Sequence, residues 1–232
     1  MDIVLNDDSK SWLITGFFTP NYRELAEPFA ASLRDQGHPH HLFAVERSGT
    51  WNYETMRKPA IALAALDAYP KKTVILMDVD CTVNGAIDEL VGFNPAVDVA
   101  CFMYVKTKKI GRHRQRTSLS SRVVLLRPTA GARTLLENWR DACVERPWMH
   151  GDEPNMMLAL ARSSGTAFSP IPLGFSGREI DTAPPGAVIT HDSASHQGQN
   201  PRSFLKQLWH TVGASRPVDV APKAERRERE HS

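Results

Sequence analysis

The sequence predicts an α/β domain with a mostly parallel central sheet flanked by helices. Three observations carry this reading. Short apolar runs alternate with segments whose apolar residues recur at helical spacing. One run, Thr73–Met77 (TVILM), is unbroken, as expected of a strand buried on both faces of a parallel sheet. Residues that start and stop helices fall between the runs.

Taken in order, Ser11–Phe18 (SWLITGFF) reads as a strand, and Thr19-Pro20 supplies an N-cap followed by proline at the first helical position. Leu25, Phe29 and Leu33 form one helical stripe, and Gly37 stands where a glycine stop belongs. His41–Val45 is a second strand and Arg47–Asn52 a turn-rich loop. Pro59 opens a helix with Ile61, Ala64, Ala65 and Ala68 on its apolar stripe, and Pro70 closes it before the TVILM strand. Val97–Tyr104 and Ser120–Leu126 are further strands. Thr129 caps a helix bearing Leu135, Leu136, Trp139, Ala142 and Cys143, Glu153–Ala161 forms another, and Ala187–Thr190 is a last strand ending in His191. Beyond about residue 215 the chain has prolines, mixed charges and nothing to bury. Residues 1–215 are therefore expected to form one domain, and 216–232 a disordered charged tail.

The length of 232 residues suits a single domain with an ample core. Lys and Arg total 28 against 26 Asp and Glu, a net charge of +2. A dedicated nucleic-acid binder would be more lopsided, so no nucleic-acid partner is expected. Cys81, Cys101 and Cys143 are odd in number and widely spaced, which excludes a disulfide framework and a zinc-ribbon pattern. The start, MDIVLNDDSK, has no basic region followed by an apolar run, and no stretch reaches the ~18 apolar residues of a membrane span. No signal peptide or transmembrane segment is expected, and the location expected is cytoplasmic.

The sharpest chemical feature is Asp78-Val79-Asp80, directly after the buried strand. In open α/β sheets, ligands bind beyond the carboxyl ends of the strands. Residues i and i+2 of extended chain point the same way. Two adjacent carboxylates repel unless a cation lies between them, and oxygen donors suit Mg²⁺ or Mn²⁺. The plain alternative is a pair of solvated turn residues.

Two families place Asp-x-Asp at such a strand end. Val74–Val83 (VILMDVDCTV) resembles the first motif of haloacid-dehalogenase-like phosphatases, with Thr82 in register, and Gly151-Asp152-Glu153-Pro154-Asn155 resembles their late acidic motif. That likeness implies Asp78 as nucleophile and Asp80 as general acid and base. The GT-A glycosyltransferases are resembled over more of the chain, from about Trp12 to Arg202. Lys58-Pro59, an alanine-rich helix, Tyr69-Pro70 and then TVILMDVDCTV is similar to one ordered run of that superfamily. Ser121–Pro128 (SRVVLLRP) and His191-Asp192-x-Ala194-Ser195 are similar to two later ones. Three points favour the transferase. Two strand–helix units precede the Asp-x-Asp, position 155 is Asn where the phosphatase motif has Asp, and the phosphatase likeness leaves His191 and Lys58-Pro59 unexplained.

The resemblance implies a GT-A-like, Rossmann-related sandwich that takes a nucleotide-diphosphate sugar and requires Mn²⁺ or Mg²⁺. It implies Asp78, Asp80 and His191 at the metal, with Asp80 the most direct ligand and Asp78 contacting the ribose, or the metal through water. Thr15, Gly16 and Phe17 would receive the nucleotide, with Tyr22 stacking on the base or serving as a core residue. Lys58, Asp78 and Val79 would also face the donor, Lys58 either neutralising the diphosphate or remaining solvated. Asp152 and Glu153 read equally as a pocket acid pair or as an acidic helix start; the pattern with the late histidine leans towards retention of configuration. Lys106–Arg116 holds six Lys or Arg and no acid. It reads as a loop near the site mouth, either solvated or a mobile lid that clamps phosphates or an anionic acceptor. Arg122 departs from the small residue common at its position, which leaves the acceptor open. A third reading is a non-catalytic nucleotide-sugar-binding module, favoured if His191 lies far from Asp80.

Overall fold

The computed structural model describes residues 1–108, 114–179 and 183–191. The amino-terminal half alternates strands and helices. Strand β1 (Ile3–Leu5) and β2 (Trp12–Phe18) lead through a 3₁₀ turn at Pro20–Tyr22 into α1 (Arg23–Asp35), and β3 (His40–Ala44) follows. Helices α2 (Trp51–Thr55) and α3 (Lys58–Ala68) precede β4 (Thr73–Met77), and β5 (Cys81–Val83) and α4 (Asp88–Gly92) come after it. The remainder comprises β6 (Val99–Lys108), β7 (Arg114–Leu126), α5 (Ala130–Glu145), α6 (Glu153–Arg162), β8 (Phe168–Pro170), β9 (Arg178–Glu179) and β10 (Ile189–His191).

Seven strands form one sheet in the order β1-β3-β2-β4-β7-β6-β8. The β3-β2-β4 centre is parallel, and β8 is parallel to β6. Strands β1 and β7 run against their neighbours, so the sheet is mixed but mostly parallel. Strand β4 is buried throughout, as its apolar run predicts. Ile75 and Met77 pack with Phe29 and Leu33 of α1, whereas Val74 and Leu76 pack with Leu66 of α3 and Leu135 and Trp139 of α5. The two alternating faces of β4 thus feed two hydrophobic layers.

The local stops follow the sequence signals. Gly37 has φ +66°, its N–H donates to Arg34 O and that of His38 to Leu33 O, the paired bonds of a Schellman end. Thr129 caps α5 by accepting the Ala132 N–H at 3.3 Å. Two segments differ from expectation. Trp51 and Asn52 belong to α2 rather than to a loop. The basic run is not all loop either: β6 and β7 pair Lys106 with Arg116, Thr107 with Gln115 and Lys108 with Arg114 by backbone register. Residues 109–113, the Asp192-x-Ala194-Ser195 motif and the tail lie outside the described residues. Among the described residues, no helix is long and apolar enough to cross a membrane.

A second, three-stranded sheet in the order β5-β10-β9 holds the key to the site. Antiparallel pairing sets Ile189 against Val83, Thr190 against Thr82 and His191 against Cys81. A histidine more than a hundred residues downstream is thereby carried to the residue after Asp80.

Candidate metal and donor site

Strand β4 ends where β2 presses against it. A Cβ on Gly16 would lie 2.6 Å from the Met77 carbonyl oxygen, so only glycine fits that approach. The chain then turns, with Asp78 N–H donating to Arg122 O and Cys81 N–H to Asp78 O, each at 3.1 Å. This turn presents Asp78 and Asp80 at the carboxyl end of the sheet's central strand. Across it, His191 Nε2 stands 3.0 Å from Asp80 Oδ1. One ligand atom from each of Asp78, Asp80 and His191 falls within 4.8 Å of the others. His191 is 5% exposed, and among the described residues its buried Nδ1 has no hydrogen-bond partner.

The donor set fits a divalent ion. Two carboxylates and an imidazole suit Mn²⁺, and the carboxylates also suit Mg²⁺. Burial raises the Asp78 carboxyl above its ordinary range. Lys58 counters that rise, and the neighbouring Asp80 carboxylate adds to it. A cation between the two acids would relieve that repulsion.

Lys58 opens α3 from a buried position, 5% exposed. Its Nζ lies 2.8 Å from Asp78 Oδ1 and 3.6 Å from Asp152 Oδ2, and it donates to Ser121 Oγ at 3.0 Å. Burial alone would pull the lysine down, but the Asp152 and Asp78 carboxylates outweigh it and raise it above its ordinary value. Lys58 is therefore a charged group enclosed by acids, not a solvated side chain.

Asp152 stands just before α6, yet its side chain makes no capping hydrogen bond. The carboxylate is buried towards Lys58 instead, and burial raises it, with Lys58 opposing and Asp78 reinforcing the shift. Its backbone carbonyl accepts the Trp139 Nε1–H at 3.3 Å, which ties the pocket to the core of α5. Glu153, the first residue of α6, accepts the Tyr104 hydroxyl at 2.8 Å. Asn155 Nδ2 donates to Arg146 O, so the residue at the odd position of the acidic motif braces the preceding loop.

A cavity of about 440 Å³ connects these groups. Its lining includes the three candidate ligands together with Phe17, Tyr22 and Val79. Lys58, Asp152 and Glu153 also reach it, as does Arg122, which donates to Gly177 O at 3.4 Å. Tyr22 both lines the cavity and packs on the layer beneath α1. Thr15 and Gly16 do not line it: the buried Thr15 hydroxyl donates to His41 O, and Gly16 supports the strand contact. Sequence reasoning missed Ser121 as the Lys58 partner, Tyr104 as the Glu153 partner, and Trp51 and His150 on the lining. Of these, Tyr104 ends a recognised apolar run and Ser121 opens the SRVVLLRP segment, whereas Trp51 and His150 carried no signal.

Solved structures with a similar arrangement of elements include glycosyltransferases. A glycosyltransferase involved in glycosylation of the major capsid of PBCV-1 superposes with a TM-score of 0.59 at 13% identity, over 78% of this chain and 92% of its own. GlyE of Streptococcus pneumoniae TIGR4 gives 0.51 at 12% identity, over 88% of this chain and 61% of its own. The galactosyltransferase LgtC, solved with donor and acceptor sugar analogs, gives 0.51 at 10% identity, over 93% and 99%. No protein-family model and no curated protein matches the sequence. At such identities the likeness is one of architecture. With its central strand ending in Asp78 and Asp80, the chain carries the fold of the GT-A glycosyltransferases.

Proposed function

We propose that this protein is a metal-dependent glycosyltransferase that moves a sugar from a nucleoside-diphosphate sugar to an acceptor hydroxyl. The observation that carries the reading is the convergence of Asp78, Asp80 and His191 within 4.8 Å on the wall of the cavity. The fold supports it, because ligands of open α/β sheets sit beyond the carboxyl ends of the strands. A bound Mn²⁺ or Mg²⁺ would supply positive charge to the departing diphosphate.

Asp80 and His191 hold that ion directly, and Asp78 contributes the second carboxylate. Lys58 holds Asp78 at 2.8 Å and offsets the Asp152 charge from 3.6 Å, while Ser121 accepts its remaining donors. Phe17 and Tyr22 flank the nucleoside, and the Tyr22 ring offers a stacking face. Glu153, oriented by Tyr104, and Asp152 face the acceptor hydroxyl and can position it or take its proton. The motif resemblance supports retention of configuration. The six Lys and Arg residues of Lys106–Arg116 support an anionic acceptor. The three cysteines are free and buried, which supports a reducing, cytoplasmic setting.

Ligand-induced melting tests this reading. UDP or GDP together with Mn²⁺ should raise the melting temperature, while neither does so alone. His191→Ala should weaken that shift. No joint effect with either nucleotide would overturn the proposal.

A further inference from the structure

Trp51 exposes 48% of its surface, although an indole is among the costliest groups to leave in water. It lines the cavity and its ring centroid lies 5.6 Å from that of His150, the planes tilted by 48°. This pair is built, not incidental. Asn52, the next residue of α2, clamps the 147–151 segment at both ends: Nδ2 donates to Pro147 O at 3.2 Å, and Oδ1 accepts the Gly151 N–H at 2.6 Å. Gly151 turns the chain with φ +78°, and a Cβ there would lie 4.0 Å from Trp51 Cη2. The next two residues are Asp152 and Glu153. An open aromatic face and two acids therefore share one end of the cavity.

We propose that Trp51 and His150 form the acceptor subsite, a stacking face for a pyranose ring whose hydroxyls are directed to Asp152 and Glu153. This rests on the transferase reading above. The chemistry is complementary. A pyranose has an apolar C–H face and a rim of hydroxyls, and amphipathic aromatic rings beside a few placed polar groups suit such ligands. A nucleobase is the less fitting occupant, because Phe17 and Tyr22 already offer rings beside the acids of the metal site. Tyr22 is near enough to Asp80 and Asp78 for their charge to add to the rise that burial imposes on its phenol. Trp51 instead is tied through Asn52 and Gly151 to the Asp152 end. Asn52 is a positioning residue in this scheme, since it acts by holding the rim.

The test is calorimetric titration of the full chain with methyl pyranosides of glucose, galactose, mannose, N-acetylglucosamine and xylose. It is run without nucleotide and again with UDP or GDP plus Mn²⁺. At least one pyranoside should bind saturably. Trp51→Ala should weaken that binding roughly 2- to 10-fold, in keeping with the loss of one stacking partner. Trp51→Tyr should restore most of it, and keeps the test open if the alanine variant folds poorly. Asn52→Ala should also weaken binding, while the melting shift with nucleotide and Mn²⁺ persists. Binding by no pyranoside, or undiminished binding to Trp51→Ala, overturns the proposal. Loss of the nucleotide shift in Trp51→Ala with sugar affinity intact also overturns it, and assigns the face to the donor base. If the wild type shows no nucleotide shift but its sugar binding depends on Trp51, the transferase reading falls and the sugar-binding face stands.

Discussion

Lys58 Nζ lies 2.8 Å from Asp78 Oδ1, in a pocket where the lysine side chain is 7% exposed. The same ammonium stands 3.6 Å from Asp152, whose side chain is 5% exposed. Removing the cation leaves the half-buried Asp78 and the buried Asp152 without their shared counter-charge. Truncating one partner of a buried pair typically costs about 3–5 kcal/mol. Lys58→Met should therefore lower the urea midpoint sharply. Mn²⁺, which alone leaves the wild type unshifted, should raise the melting temperature of the variant, because an ion beside Asp78 replaces part of the lost charge. Unchanged stability would show that the acids are relieved in another way.

Gly16 makes a different demand, one of space. Its absent Cβ would meet the Met77 carbonyl at 2.6 Å, backbone that cannot swing aside. Gly16→Ala must push β2 from β4, at a cost of about 1–3 kcal/mol. Asp78 is the next residue after Met77, so the nucleotide-dependent melting shift should fall together with the urea midpoint. A variant that loses neither would show that the two strands can separate freely.

His40 predicts the response to acid. The side chain is fully buried in β3, its Nδ1 donates to His38 O at 2.9 Å, and Nε2 has no partner among the described residues. Burial holds the imidazole below its ordinary value. The His38 carbonyl partly opposes that, and the charges of Arg34, His38 and His41 reinforce it. The unfolded chain then binds the proton more readily. The stability His40 contributes is full above the unfolded value of about 6.5 and is lost as pH falls below it. His40→Asn keeps a donor for the His38 carbonyl and removes the titration. Between about pH 7.5 and pH 5.5, its urea midpoint should drop less than that of the wild type. An equal drop would assign the acid sensitivity to other groups.

Where the sequence could be read, it was because one signal dominated. The TVILM run buries both faces and needs no partner to be recognised, and Asp78 and Asp80 follow it at once. Gly37 and Thr129 mark helix ends through chemistry local to a few residues. The parts not anticipated depend on distant contacts. Strands β1, β5 and β8 have three residues each, too few to show a period, and exist because a neighbour pairs with them. Trp51 and Asn52 lie in a stretch rich in turn formers, and their roles come from Gly151 and His150 a hundred residues away. Asp152 looks like a helix cap in sequence. Lys58, itself buried, draws its side chain inward instead.

The central claim is that the three groups around Asp80 serve a nucleoside-diphosphate sugar. It is tested most directly by incubating the wild type and Asp80→Asn with UDP- and GDP-sugars and Mn²⁺, and measuring release of nucleoside diphosphate and transfer of the sugar. The account predicts Mn²⁺-dependent release by the wild type, suppressed by chelation and by Asp80→Asn. Turnover of a generic phosphate ester that is abolished by Asp78→Asn, with no release from any nucleotide sugar, would contradict it.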